Sequence, residues 1–103
     1  MLAPIITNNM IQVQGICKTH YVKELYVFGS ASRNEMKEDS DVDFLYTMQE
    51  NVPEEKYADN FFDMMWSLEK LLGRKVDLVA EKYLRNRFFI KELEATKKVI
   101  YKA

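Results

Sequence analysis

A small α/β sandwich built on a mixed sheet is the fold this sequence predicts. Three observations carry that expectation. Stretches of helical period alternate with short runs rich in strand formers, in the order α-β-α-β-α-β-α-β. The connections are of moderate length, and three Gly and two Pro leave little chain for tight turns or linker. At 103 residues, 48% hydrophobic and 30% charged, the chain is sized for one domain, residues 1–103, around one core.

Thr7 and Asn8 are capping residues for a helix from about Asn9 to His20, with Met10, Val13, Ile16 and Cys17 on one face. Residues 24–28 read as a short apolar strand that Gly29 ends. One or two helical turns can open at Ser30 within 30–36, and the polar stretch from Asn34 to Ser40 is a loop. From Asp41 to Tyr46 a period of two separates Asp41, Asp43 and Leu45 from Val42, Phe44 and Tyr46. Pro53 suits the first turn of a helix reaching Leu72, which Gly73 terminates. Its core stripe is Tyr57, Phe61, Met64, Met65, Leu68, Leu71 and Leu72. Lys75 to Ala80 is a third strand, Lys82 to Glu94 a helix, and Lys98 to Tyr101 a final edge strand.

Several function classes drop out on composition. A net charge of −1 argues against wholesale electrostatic binding of nucleic acid. The charge is uneven, however: residues 82–103 carry seven Lys/Arg against two acids, and residues 1–81 eight against fourteen. The basic segment either sets cations beside a phosphate-bearing ligand or is a solvated helix face. Residues 1–10 lack the basic start and apolar run of a secretory signal, and the Phe61–Trp66 stretch, broken by Asp63, is too short to cross a bilayer. Cys17 is alone, which excludes an intrachain disulfide and fits a reducing, cytoplasmic setting. His20 is the only histidine, so neither a Cys/His metal site nor a Ser-His-Asp triad is available; at a helix end, cation–dipole interaction accounts for it.

Chemistry points instead to carboxylates. Asp is a poor strand former, and burying one unpaired is costly. Yet Asp41 and Asp43 share one face of the second strand, and Asp77 interrupts the apolar run Val76 to Val79. Side chains two apart on a strand point the same way, roughly 7 Å apart at Cα, close enough to share one or two cations. A third carboxylate from a neighbouring strand would complete the oxygen cage that magnesium prefers. Gly29-Ser30, at a strand end opening a helix, offers free N–H groups and a hydroxyl to a phosphate.

The stretch Phe28-Gly29-Ser30, ten further residues and then Asp41-Val42-Asp43 resembles the signature of DNA polymerase beta-like nucleotidyltransferases. Arg33, Glu35, Asp39 and Ser40 within the spacer, the later stretch from Gly73 to Val79, and the close Val99-Ile100-Tyr101 are similar to the minimal nucleotidyltransferase subgroup. The likeness runs from residue 10 onward, with departures at Ala31, Ser32 and Asn34, where a basic residue, Ala and Gly are common. Ala31 removes one expected phosphate contact.

The resemblance implies a polymerase-beta palm-like fold and two-metal chemistry. Asp41 and Asp43 would hold two magnesium ions, and Asp77 would ligate one or act as base. Gly29 and Ser30 would bind the triphosphate of ATP or another nucleoside triphosphate. Arg33 either stabilises leaving-group charge or pairs on the surface with Glu35 or Asp39. The subgroup is similar to antitoxins that transfer AMP to a HEPN-type ribonuclease toxin. A contact-only antitoxin that no longer catalyses is the alternative, although the retained carboxylates favour catalysis. Phe62 and Trp66, four apart and outside the core stripe, mark a surface for that protein partner or a second copy, or pack under a neighbouring loop.

Overall fold

The structure, a computed structural model, describes residues Met1–Ala103. Two helices come first, α1 (Pro4–Thr7) and α2 (Met10–Thr19), followed by β1 (Val22–Phe28) and a 3-10 turn at Gly29–Ser32. Next are β2 (Val42–Met48), α3 (Glu54–Leu72) and β3 (Val76–Ala80). A second 3-10 turn at Glu81–Tyr83, α4 (Arg87–Thr96) and β4 (Lys98–Lys102) complete the chain. The strands form one sheet in the order β3-β2-β1-β4. β1 pairs antiparallel with β2 and β4, whereas β2 and β3 run parallel, so the sheet is mixed.

Helices cover both faces. Val13 and Cys17 of α2 and Met64, Leu68 and Leu72 of α3 are buried with Leu25, Val27, Val42, Phe44, Tyr46, Val76 and Leu78 from one side of the sheet. A register shift between Val22 and Glu24 lets Val22 and Leu25 reach the same core despite their odd spacing. On the opposite face Phe28, Leu45 and Leu93 form a smaller cluster with Tyr26, Val79, Leu84 and Phe89, which brings α4 down onto the sheet. Phe89 meets Phe28 edge-on, 6.0 Å between ring centroids.

Four features differ from the expectations. Pro4 at its first position starts a separate short helix, α1, and α2 begins at Met10 with no side-chain cap. Asn9 instead donates its amide to Ile5 O at 2.9 Å, tying α2 back to α1. β2 begins at Val42, which leaves Asp41 outside the strand. The single helix expected over 82–94 divides at Leu84, where the backbone is extended, and α4 restarts at Arg87. Asn86 drives the restart, its side chain accepting from Phe88 N and Phe89 N at 2.9 and 3.1 Å.

α3 ends as its sequence foretells, with Gly73 left-handed at φ +65° and its N–H returning to Glu69 O at 2.8 Å. Asn34, standing where glycine is common, also takes positive φ, +57°. No helix is long and apolar enough to cross a membrane.

Candidate active site

The catalytic candidates gather where β1 ends. In the two ladders Phe28 is the Cα partner of Asp43, and Asp43 the partner of Asp77, so one row crosses three adjacent strands. Asp43 shares its strand face with Leu45, and Asp77 with Val79; both apolar residues belong to the cluster beneath α4. The two carboxylates therefore project from one face, one step beyond its last apolar pair. Asp43 is half-buried and Asp77 exposed.

Past Phe28 the chain turns through Gly29 at φ +68°, a conformation glycine adopts without strain. An alanine β-carbon at that position would collide with Asp43 Oδ2, so the turn packs directly on the carboxylate. Burial chiefly, then the charges of Asp77 and Asp41, push the Asp43 carboxyl up to about 6. The protein's ion pairs are Arg33–Glu35 and Lys97–Glu94, and His20 meets Asp63, so none of the three aspartates is neutralised by a basic side chain.

Asp41 stands apart from the strand pair. It is exposed, one residue ahead of β2, whose first N–H, on Val42, bonds Lys75 O at 2.9 Å. The three aspartates do not close into a ready-made cluster of three metal ligands. They are near enough for two to raise the affinity of Asp43 for a proton. The donor set is all oxygen and its surplus negative charge is uncompensated, which fits a hard divalent cation that completes its shell with water and phosphate oxygens.

The 3-10 turn is braced by Ser32 Oγ donating to Gly29 O at 2.7 Å and by Glu35 N donating to Ser30 O at 2.9 Å. Ser30 is half-buried and follows the Gly29 that packs on Asp43. Ala31 is fully buried, and its carbonyl accepts from Ala3 N at 2.9 Å, so this position packs the chain's first residues against the turn. Arg33 Nε donates to Glu35 Oε2 at 3.3 Å in an exposed ion pair.

Two further features lie elsewhere. Phe62 and Trp66 project from α3, 47% and 60% exposed and stacked 5.8 Å apart. With Tyr21, Val52, Pro53 and Asp59 they line an open cleft of about 720 Å³ that shares no residue with the carboxylate row. His20, expected only at a helix end, is buried. Its Nδ1 lies 2.7 Å from Ile16 O and its Nε2 2.6 Å from Asp63 Oδ2, which ties α2 to α3. Nothing in local sequence pairs two residues so far apart.

Residues 10–100 match the nucleotidyltransferase domain family. A Methanocaldococcus jannaschii protein provisionally named a protein adenylyltransferase is 37% identical over 82 residues, which span 77% of this chain and 78% of that protein. The solved structure of a provisionally assigned minimal nucleotidyltransferase superposes with a TM-score of 0.76 at 30% identity, covering 98% of this chain and 96% of that one. A chain from the complex of tri-AMPylated Shewanella oneidensis HEPN toxin with MNT antitoxin aligns with a TM-score of 0.65, covering 94% of this chain and 72% of that one. At 15% identity, that likeness is one of fold.

Proposed function

The chain belongs to the nucleotidyltransferase domain family, and on that premise we propose that it transfers AMP from ATP, with magnesium, to a protein acceptor. The acceptor is a HEPN-type toxin, and the protein acts as its antitoxin. The adenylyltransferase name of the methanogen relative supports the nucleotide and a protein acceptor. The toxin–antitoxin complex among the fold neighbours supports the partner. The observation that carries the reading is the row Phe28–Asp43–Asp77, with the Gly29 turn packed on the central carboxylate.

Asp41, Asp43 and Asp77 would hold magnesium, which supplies charge neutralisation for the triphosphate and acidifies the acceptor hydroxyl. Gly29 and Ser30 receive the triphosphate, where a side chain larger than hydrogen at residue 29 would obstruct both phosphate and carboxylate. Asp77, the exposed member of the strand pair, takes the acceptor hydroxyl's proton on a carboxylate oxygen. The acceptor oxygen bonds to the α-phosphorus as the bond to the bridging oxygen breaks, and pyrophosphate leaves. Arg33, turned from Glu35, offsets charge on that leaving group. Phe62 and Trp66 anchor the protein partner or a second copy on the face lined by their cleft.

A second reading, neutralisation of the partner by contact alone, is favoured only by that exposed aromatic pair. Melting curves with magnesium and AMP-PNP test the nucleotide site, because a ligand of the folded state raises the melting temperature. Labelled ATP incubated with the protein and its co-purified partner tests transfer. Magnesium-dependent stabilisation with AMP appearing on the partner supports catalysis. Tight association with neither effect leaves the contact reading.

A further inference from the structure

We propose that Arg74 is a positioning residue that sets the Asp41 carboxylate for metal binding. The inference rests on the reading of the three aspartates as metal ligands. Arg74 lies between the left-handed Gly73 and strand β3, three residues before Asp77. Its Nη1 donates to two backbone carbonyls of the loop that delivers Asp41, Lys37 O and Ser40 O, both at 2.9 Å. The same loop is closed on itself, with Ser40 N donating to Lys37 O at 3.1 Å and Lys37 N to Ser40 Oγ at 2.8 Å.

On the other side of Asp41, Val42 N donates to Lys75 O at 2.9 Å. One residue on, Val76 N donates to Glu69 Oε2 of α3 at 3.0 Å. Asp41 is thus a single exposed residue between two clamps, one on residue 40 and one on residue 42. Both clamps come from consecutive residues of the segment that leads into Asp77. The link matters because Asp41, unlike Asp43 and Asp77, has no strand pairing of its own to fix it. A planar guanidinium suits such a clamp, since its donors are held in a fixed fork.

A competing effect gives the test its sign. Arg74 is a cation near a site for cations, so charge removal alone would tighten metal binding. Loss of position would weaken it. Outer-shell groups that orient ligands typically contribute about 10–100-fold to metal affinity.

The measurement is Mn²⁺ binding to the full chain in the presence of AMP-PNP, read from the spin-resonance signal of the free ion. Melting temperature is recorded for each variant. Arg74→Met is expected to weaken Mn²⁺ about tenfold, and Arg74→Lys, which keeps charge and donors but not the fork, less. Ser40→Ala opens the same loop without changing charge, so it guards against a variant that misfolds, and it is expected to weaken Mn²⁺ in the same direction. Unchanged or tighter Mn²⁺ binding in Arg74→Met, or in Ser40→Ala should Arg74→Met not fold, overturns the positioning role. Wild-type protein that takes up no Mn²⁺ with AMP-PNP overturns the metal reading itself and the proposal with it.

Discussion

Gly29 occupies the space in which any side chain would displace the carboxylate of Asp43. A β-carbon built there falls 3.4 Å from Asp43 Cγ and closer still to Oδ2. The turn proposed to take phosphate and the central metal-ligand candidate are therefore one packed unit. Gly29→Ala is expected to abolish the magnesium-dependent rise in melting temperature with AMP-PNP, and to cost the fold about 1–2 kcal/mol from the left-handed backbone alone. Gly73→Ala is the matched control. It has the same backbone hand, φ +65°, but nothing lies within 4 Å of its β-carbon position. It should lose similar stability, measured by denaturant unfolding, and keep the nucleotide response.

Asp43→Asn should end transfer while the fold survives. The carboxyl is held up to about 6 by burial and by Asp77 and Asp41, so its ionised form is disfavoured in the metal-free protein. Replacing it with a neutral amide is expected to stabilise that protein at pH 8, by on the order of 1 kcal/mol after solvent screening is allowed for. Transfer activity surviving in this variant would count against the carboxylate reading, and a large drop in melting temperature would make Asp43 structural.

The same carboxyl gives a pH dependence with a defined sign. Its folded-state value, about 6, lies above the ordinary 3.8. Between those values the folded protein holds a proton that the unfolded chain has released. The contribution of Asp43 to metal-free stability is therefore complete below about pH 4, falls as pH rises to about 6 and is flat above. Magnesium needs the ionised form, so the stabilisation it confers with AMP-PNP should grow over the same interval. Urea unfolding at pH 5 and pH 7.5, with and without magnesium, measures both slopes. A magnesium effect equal at the two pH values would remove Asp43 from the ligand set.

Trp66→Ala should weaken association with the protein partner or a second copy by about 2 kcal/mol, roughly 30-fold, and leave magnesium–nucleotide binding unchanged. The residue is 60% exposed and stacked on Phe62, in a cleft with no residue of the carboxylate row. Calorimetric titration against the co-purified partner, with AMP-PNP titrated separately, reads the two effects independently. Equal partner affinity in the variant would disprove the anchor.

What the sequence made legible was whatever repeats or recurs locally. Strand parity places Asp43 with Leu45 and Asp77 with Val79, and the parallel register makes the two aspartates neighbours. The stripe on α3 separates buried Met64, Leu68 and Leu72 from exposed Phe62 and Trp66 as helical spacing requires. The break before α4 has a local signal in Asn86, a capping residue type whose side chain accepts from the first turn of α4. Pro4 likewise marked α1. Long-range side-chain bonds left no trace in local pattern, as with His20 to Asp63 and Arg74 to the loop at Lys37 and Ser40. Those contacts exist only because α2, α3 and the strand-entry loop meet in space.

The parallel pairing of β2 with β3 also dictates when the row of carboxylates is complete. A hairpin could have joined the two strands within a few residues, but parallel neighbours require the chain to return along the sheet, and α3 makes that journey. A polypeptide emerging from the ribosome thus carries Gly29, Asp41 and Asp43 well before Asp77 has a strand to sit on. Non-local pairings of this kind are costly in chain entropy and form slowly compared with the β1–β2 meander. The last carboxylate of the row thus arrives only with a long-range closure, and the β1–β4 pairing, made across a still greater stretch of chain, follows it in sequence.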